Sequence, residues 1–206
     1  MVRIKICGLR RYEDVDYINE LQVDYAGFVF AQSPRRIDLD LAKRLAARVN
    51  GRIKKVGVFV NERRDVIKKI CGELGLDVLQ FHGDEYPDDL LGYEVEVWKA
   101  VRVKDKASLT AVHEYRVDGI LVDASAAGRY GGTGQSFDWN ILNGMRLNVK
   151  LILAGGLNPD NVCLAIKKVK PYAVDVSSGV ETGGYKDFEK MKRFVERVRN
   201  FERDAG

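Results

Sequence analysis

Two side chains that can exchange protons stand where predicted strands end. Cys7 closes the short apolar run 2–7 and is followed at once by Gly8, and Asp123 lies near the end of a second run, 119–124. A lone cysteine after a strand is most often a buried structural residue, and an aspartate in that position is most often a loop cap. If both side chains faced one cavity, they could instead act as a general base and a general acid. Which interpretation applies depends on whether the strands bring the two side chains to the same cavity.

Eight short apolar runs, rich in β-branched and aromatic residues, recur along the chain as strands would. They cover residues 2–7, 25–30, 54–60, 77–82, 96–103, 119–124, 150–156 and 172–179. Amphipathic segments lie between them, and strands that alternate with helices pair in parallel through right-handed crossovers. An open doubly wound sheet and a closed (βα)8 TIM barrel both fit this alternation. Eight units favour the barrel, as one domain over residues 1–206.

Capping residues predict where several helices begin. Asp38 and Asn61 each precede a segment with helical apolar spacing, and Asn158 is followed by a proline at the first predicted helical position. The last helix shows apolar residues at helical spacing, namely Phe188, Met191, Val195 and Val198. Residues 105–115 and 137–145 are shorter helix candidates.

Alternation along the strands predicts which side chains enter the barrel. On the first strand Ile4 and Ile6 belong to the apolar, helix-facing side, so Lys5 and Cys7 point inward. The same parity turns four further polar residues inward, namely Gln80, His82, Asp123 and Asp175. Buried charges need partners, and Lys5 and Asp175 lie on strands that a closed barrel makes neighbours. Cys7 and Asp123 reach the carboxyl-terminal rim, where enzymes of this fold carry their active sites. We also expect Lys5 to lower the pKa of the Cys7 thiol.

Glycine-rich stretches follow the last two strands, at residues 153–159 and 175–181. Loops in these two positions form the usual phosphate site of (βα)8 enzymes. Glycine permits close approach of the backbone to an anion, and a serine can add a hydroxyl donor. The predicted phosphate-binding residues are Gly155, Gly156, Ser178 and Gly179. A third glycine-rich segment, 128–139, predicts a loop that closes over a ligand, although a surface turn remains open.

Composition narrows the class of protein. The chain has 206 residues, of which 46% are hydrophobic, and no apolar run approaches the roughly 20 residues that cross a bilayer. The net charge of +4 is scattered among acids, which favours a small anionic ligand over nucleic acid. Three widely spaced cysteines and two histidines argue against a disulfide framework and against a metal site. We therefore expect a cytoplasmic protein without a membrane, nucleic-acid or metal partner, either a monomer or a homodimer.

Seven motifs, in order along the chain, resemble those of the phosphoribosylanthranilate isomerase family. They are "KICGL", "GFVFAQSPRRI", "VGVFVN", "LQFHG", "LVDAS…GGTGQSFDW", "LAGGLNP" and "AVDVSSGVE". The resemblance implies a single-domain (βα)8 enzyme of tryptophan biosynthesis that needs no cofactor. Its reaction would be the Amadori rearrangement of N-(5-phosphoribosyl)anthranilate to 1-(2-carboxyphenylamino)-1-deoxyribulose 5-phosphate.

The same resemblance implies roles for individual residues. By position, Cys7 corresponds to the general base, Asp123 to the general acid, and Arg36 to the residue that holds the anthranilate end of the substrate. The inward-pointing Gln80 and Asp175 are our further candidates for substrate binding, although a structural role for Gln80 stays open. We interpret His82 as a structural hydrogen-bonding residue.

Other functions remain possible at this point. Another phosphosugar barrel, such as an indole-glycerol-phosphate synthase, would need inward lysine and glutamate pairs at the rim. A pentose-phosphate epimerase would need metal ligands. A non-catalytic sugar-phosphate sensor is an alternative of a different class, and it would not need Cys7 opposite Asp123.

Overall fold

The computed structural model describes residues 1–102, 112–123, 139–142 and 148–204. Eight parallel strands, hydrogen-bonded in chain order, close into a barrel, so the predicted (βα)8 fold is confirmed. The strands are β1 (Arg3–Cys7), β2 (Tyr25–Val29), β3 (Lys54–Phe59), β4 (Val78–Phe81), β5 (Glu96–Arg102), β6 (Gly119–Asp123), β7 (Lys150–Ala154) and β8 (Ala173–Val176).

Helices surround the barrel on its outer face. The described α-helices are α1 (Tyr12–Leu21), α2 (Leu39–Ala46), α3 (Arg64–Leu74), α4 (Val162–Val169) and α5 (Phe188–Asp204). Short 3-10 turns occur at Pro87–Leu90, Trp139–Leu142 and Ser178–Val180. None of the helices in the described ranges is long and apolar enough to cross a membrane.

Three sequence predictions fall wholly or partly outside the described residues. Of the helix candidate 105–115 only residues 112–115 are described, and of the candidate 137–145 only 139–142, which form a 3-10 turn. The glycine-rich segment 128–139 lies outside the described residues except for its last position.

The predicted helix starts are right at one position and wrong at two. Asp38 caps α2, since its Oδ1 accepts the Leu41 N–H at 2.7 Å. Asn61 does not cap α3, which begins only at Arg64. Its backbone is left-handed, with φ 48°, and its Oδ1 accepts the N–H of Asp84 at 2.8 Å. Asn61 therefore joins the loops after β3 and β4, a contact between distant segments that the local pattern could not indicate.

The second wrong helix start is Asn158. The helix α4 begins at Val162, and Asn161 is the residue before it. The Oδ1 of Asn158 accepts the N–H groups of Asp160 and Asn161, at 2.9 and 3.1 Å. An asparagine turn of this kind competes with helix formation, so it occupies the residues that the sequence assigned to the first helical turn.

The barrel interior is filled by the side chains that strand parity predicts. Its apolar members are Tyr25, Val56, Val78, Trp98, Ala100, Leu121, Ile152, Ala154 and Ala173. Trp98 is fully buried and meets Tyr25 edge to face, with 5.0 Å between the ring centroids. Lys5 is also fully buried, and its Nζ lies 2.9 Å from Oδ2 of Asp175. The predicted ion pair between these two strands is therefore present.

A second buried ion pair, between Lys99 and Glu85, holds the loop after β4 in place. It lies on the outer side of the barrel wall. Lys99 Nζ lies 2.8 Å from Oε2 of Glu85 and 2.6 Å from the carbonyl oxygen of Gly83. The Glu85 carboxylate in turn accepts the N–H groups of Gly83 and Asn61. Burial raises the pKa of Glu85, but Lys99 and the Asn61 N–H outweigh burial, and the pKa is lowered on balance. The pair holds Gly83 in place, and the residue before Gly83 is His82.

We predict that Lys99→Met destabilises the fold by about 3–5 kcal/mol, because it leaves the buried Glu85 carboxylate without its cation. The free energy of unfolding in urea measures this. Lys54→Met is the matched control: Lys54 lies 3.4 Å from Glu96 in a more exposed ion pair, which should contribute no more than about 1 kcal/mol. Equal losses in the two variants would contradict the prediction.

Candidate active site

Cys7 lies at the end of β1, on the inner side of the barrel, and is 9% exposed. It packs against Val29 and Val58 of the next two strands. A side-chain Cβ at Gly27, its partner on β2, would lie 2.9 Å from both Cα and Sγ of Cys7. The thiol therefore has its place only because β2 carries a glycine there. Gly27 was not among the residues expected from the sequence, although a lone glycine inside a strand often marks a close approach of another group.

The electrostatic surroundings of Cys7 are mixed. Burial raises the pKa of its thiol, Lys5 and Lys186 lower it, and Asp175 raises it; on balance the pKa is raised above its ordinary value. Lys5 thus acts in the predicted direction, but burial outweighs it. Lys186, a second cation acting on the thiol, was not among the residues expected from the sequence.

A small antiparallel hairpin follows β8 and brings Lys186 to the rim. It consists of β9 (Glu181–Thr182) and β10 (Tyr185–Lys186), joined by two glycines with φ of 59° and 80°. The hairpin was not among the eight strands predicted from the sequence. The signal was present, because two glycines between short segments favour a tight hairpin turn.

A charged cluster joins the hairpin to the loop after β2. Arg35 donates two hydrogen bonds to Glu181, at 2.8 and 2.6 Å, and Lys186 Nζ lies 2.8 Å from the same carboxylate. Burial raises the pKa of Glu181, but Arg35 and Lys186 outweigh it and lower the pKa to about 2. Glu181 is therefore ionised, and it holds two cations next to the end of β1.

Asp123 lies on the far side of the barrel mouth, at the end of β6. His82 Nε2 is 3.5 Å from Oδ2 of Asp123, and His82 Nδ1 is 3.2 Å from Nε2 of Gln80. The three side chains form a row from β4 to β6. The structural hydrogen-bonding role expected for His82 agrees with the Gln80 contact, but its position against Asp123 was not anticipated.

Two inward-pointing residues present acceptor atoms without donors. Oε1 of Gln80 and Oδ1 of Asp175 are both buried, and neither has a hydrogen-bond partner among the described residues. A buried polar atom without a partner is costly. Both atoms are therefore suited to accept hydrogen bonds from a bound ligand or from water.

Arg36 lies in the loop after β2, where its N–H donates to the carbonyl oxygen of Ser33 at 3.0 Å. Its side chain is exposed. The guanidinium makes no hydrogen bond or ion pair with any residue in the described part of the chain. Its neighbour Arg35, by contrast, is occupied by Glu181.

The two predicted phosphate loops touch each other. Gly155 and Gly156 adopt φ of 88° and 65°, and Nδ2 of Asn161 donates to the carbonyl oxygen of Gly156 at 2.9 Å. A Cβ at Gly179 would lie 1.9 Å from the carbonyl oxygen of Leu157, so only glycine lets the two loops come this close. Ser178 is exposed beside this contact. The predicted residues thus form one continuous surface, and Asn161, which the sequence analysis missed, supports it.

No group of three or more histidine, cysteine, aspartate or glutamate side chains within the described ranges is arranged to hold a metal ion. The mouth of the barrel presents a thiol and a carboxyl on opposite sides, a guanidinium that has no partner among the described residues, and glycine-rich loops suited to an anion.

We predict that Gly27→Ala destabilises the protein by roughly 1–3 kcal/mol, because the new methyl group overlaps Cys7 in a packed site. Gly51→Ala serves as the control, since a Cβ at Gly51 meets nothing within 4 Å, and it should change stability by less than about 0.5 kcal/mol. Unfolding in urea measures both variants. If the two variants unfold with the same free energy, the methyl group at position 27 does not overlap Cys7 and the prediction is wrong.

Comparison with known proteins identifies the family. A model of the family "N-(5'phosphoribosyl)anthranilate (PRA) isomerase" matches residues 4–197. The chain is 55% identical, over 97% of its length and 98% of the relative, to N-(5'-phosphoribosyl)anthranilate isomerase of Thermoanaerobacter pseudethanolicus.

Solved structures agree with this match. A crystal structure of phosphoribosyl anthranilate isomerase from Thermotoga maritima superimposes with a TM-score of 0.90 at 38% identity, covering 97% of this chain and all of the other. A second structure of such an isomerase, in complex with reduced 1-(o-carboxyphenylamino)-1-deoxyribulose 5-phosphate, has a TM-score of 0.84 at 36% identity and the same coverage. The chain belongs to the phosphoribosylanthranilate isomerase family.

Proposed function

We propose that Cys7 and Asp123 are the general base and the general acid of the reaction of this family, the isomerisation of N-(5'-phosphoribosyl)anthranilate in tryptophan biosynthesis. The supporting observation is that both side chains end their strands, β1 and β6, on the inner side of one barrel mouth. The related isomerase solved with a reduced form of the product supports the substrate class. The comparisons favour this isomerase over the synthase, the epimerase and the sensor.

The first step that this assignment requires opens the sugar ring. Asp123, as a carboxylic acid, donates its proton to the furanose ring oxygen, and the bond from that oxygen to C1′ breaks. The nitrogen lone pair forms a double bond to C1′, and Asp123 is left as a carboxylate. His82, whose Nδ1 lies 3.2 Å from Nε2 of Gln80, turns its Nε2 toward the carboxylate produced in this step.

The second step moves a proton off carbon. The Cys7 thiolate takes the proton from C2′, the electron pair of that bond forms the C1′–C2′ double bond, and the imine electron pair returns to nitrogen. The resulting enolamine becomes the ketone when the C2′ hydroxyl loses its proton and C1′ gains one. No electrons enter or leave the substrate, so no redox partner is needed.

Four regions of the rim would position the substrate between these two groups. The phosphate would bind the surface formed by Gly155, Gly156, Ser178 and Gly179, since the Gly156 N–H makes no hydrogen bond within the described residues. The anthranilate carboxylate would bind Arg36, whose guanidinium is likewise unoccupied there. The sugar hydroxyls would donate to Gln80 and Asp175, whose buried oxygens have no donor in the described structure.

Two broader properties belong to the same proposal. The base requires a reduced thiol, and Cys7, Cys71 and Cys163 are all free, which agrees with the expected cytoplasmic location. Whether the enzyme is a monomer or a homodimer stays a prediction with both outcomes open.

We predict that Cys7→Ser and Asp123→Asn fold normally and lose 100- to 10,000-fold in kcat, about the contribution of one general acid or base. Turnover of phosphoribosylanthranilate, followed by its fluorescence, measures this. Cys71→Ser and Cys163→Ser are the controls and should keep the turnover of the folded enzyme. A Cys7→Ser enzyme within threefold of the unmodified one would remove Cys7 from the mechanism, and an Asp123→Asn change confined to KM would make Asp123 a binding residue.

We predict that Arg36→Met lowers kcat/KM roughly 10- to 150-fold, because a hydrogen bond to a charged group contributes about 1.5–3 kcal/mol. The loss should shrink for a substrate analogue without the carboxylate, whereas inhibition by inorganic phosphate should be unchanged. Arg52→Met, an exposed arginine before β3 at the other end of the barrel, is the control. If Arg36→Met abolished inhibition by phosphate instead, the proposed orientation of the substrate would be reversed.

A further inference from the structure

Lys186 is a buried cation that the proposed mechanism does not use. Its side chain is only 1% exposed. Its Nζ contacts three acceptors, namely Oε1 of Glu181 at 2.8 Å, the carbonyl oxygen of Ser177 at 3.0 Å and Oγ of Ser177 at 3.3 Å. Three acceptors match the three N–H groups of a charged ammonium.

The Ser177 hydroxyl links Lys186 to the main chain of Cys7. Its Oγ donates to the carbonyl oxygen of Cys7 at 3.0 Å. Because the single hydroxyl proton is used in that bond, the oxygen lone pairs are free to accept from Lys186. The pairing of β1 with β8 ends at Ile6 and Val176, so this side-chain bond continues the attachment of β1 by one residue, at the position of the base.

Charge balance gives Lys186 a second connection to Cys7. Five charged groups surround this end of β1: Lys5 on β1, Asp175 on β8, Arg35 after β2, Glu181 on β9 and Lys186 on β10. Lys5 and Asp175 neutralise each other, while Arg35 and Lys186 share the single carboxylate of Glu181. Within this set three cations face two carboxylates, and the one excess positive charge is what a thiolate at Cys7 would neutralise. Two arginines after β1 also contact the hairpin: Arg11 is paired with Asp14 and donates to the carbonyl oxygen of Lys186, and Arg10 donates to the carbonyl oxygens of Pro34 and Gly184.

We propose that Lys186 is a positioning residue for Cys7, which fixes the main chain of the base through Ser177 and supplies the excess positive charge that stabilises the thiolate. The inference rests on the proposed role of Cys7 as the base. Lys186 acts on the thiol in the direction the proposal requires: burial raises the pKa of Cys7, Lys5 lowers it, Asp175 raises it and Lys186 lowers it, and on balance the pKa is raised. Burial lowers the pKa of Lys186 itself, and Glu181 acts against burial. The pKa of Arg35 is raised chiefly by its hydrogen bond to Glu181 and to a lesser extent by Cys7.

Three variants change the net charge around Cys7 in known directions, so the thiolate fraction of Cys7 should rise or fall accordingly. In Lys186→Met the excess charge is lost, and we expect the thiolate fraction of Cys7 at neutral pH to fall about tenfold, at the lower end of what a nearby opposite charge does. In Glu181→Gln the excess grows and the thiolate fraction should rise. In the double variant the excess returns to one, and the fraction should lie between those of the two single variants. The thiolate is titrated by its ultraviolet absorbance, taken against Cys7→Ser in each background.

A control variant distinguishes an effect of Lys186 on Cys7 from mere stabilisation of the hairpin. Lys190 Nζ donates to the carbonyl oxygen of Glu181 at 2.8 Å but does not contact Ser177. Lys190→Met should therefore leave the Cys7 titration unchanged. In Lys186→Met, kcat/KM should fall about tenfold at neutral pH, and the loss should shrink as the pH is raised. A loss of the same size at every pH, with an unchanged titration, would overturn the proposal.

The remaining outcomes are also decisive. If Lys186→Met does not fold, Glu181→Gln and the double variant still carry the test, and a Glu181→Gln thiol that is no more acidic than that of the unmodified enzyme refutes the proposal. If Cys7→Ser keeps its activity, the proposed function fails, but the titrations still establish whether Lys186 controls the thiol.

Discussion

The ion pair between Lys5 and Asp175 is the contact on which the rim geometry depends. Lys5 is fully buried inside the barrel, and an unpaired charge there would be far costlier than any exposed one. Burial lowers the pKa of Lys5, but Asp175 and then Cys7 outweigh it, so the pKa is raised and the side chain stays charged. The pair joins the first strand to the last where the barrel closes, and it thereby sets Cys7 beside Ser177 and the hairpin that follows β8.

A buried ion pair need not stabilise a fold more than a well-packed apolar pair of similar volume would. Replacing both members with apolar groups would cost little in packing, but the cation two residues before Cys7 would be lost. Asp175 offsets part of the effect of Lys5 on the pKa of the Cys7 thiol. In our proposal the additional positive charge comes from a different part of the chain, Lys186 on the hairpin after β8.

The sequence predicted those features that depend on neighbouring residues in the chain. Alternation along a strand is local, so the inward orientation of Lys5, Gln80 and Asp175 and the order of eight strands followed from the pattern alone. Asn61 and Asn158 failed as helix caps because their side chains bind main-chain groups of loops. Gly27 and Lys186 were missed for a related reason: their importance lies in contacts between strands and loops that only the closed barrel brings together. The catalytic and binding roles assigned to the site residues stay predictions.

Three regions of the rim are each held by a polar contact of their own, made outside the strand ladder. Ser177 and Lys186 hold the end of β1, Lys99 and Glu85 hold the turn after His82, and Asn161 holds the turn at Gly156. These three anchors share no hydrogen-bond partner within the described residues, and groups without shared partners have nearly additive effects. The geometry at Cys7, on the Asp123 side and at the glycine-rich loops therefore depends on separate contacts. The closed ladder of strands provides a common frame, while the polar contacts in the loops determine where each reacting group lies.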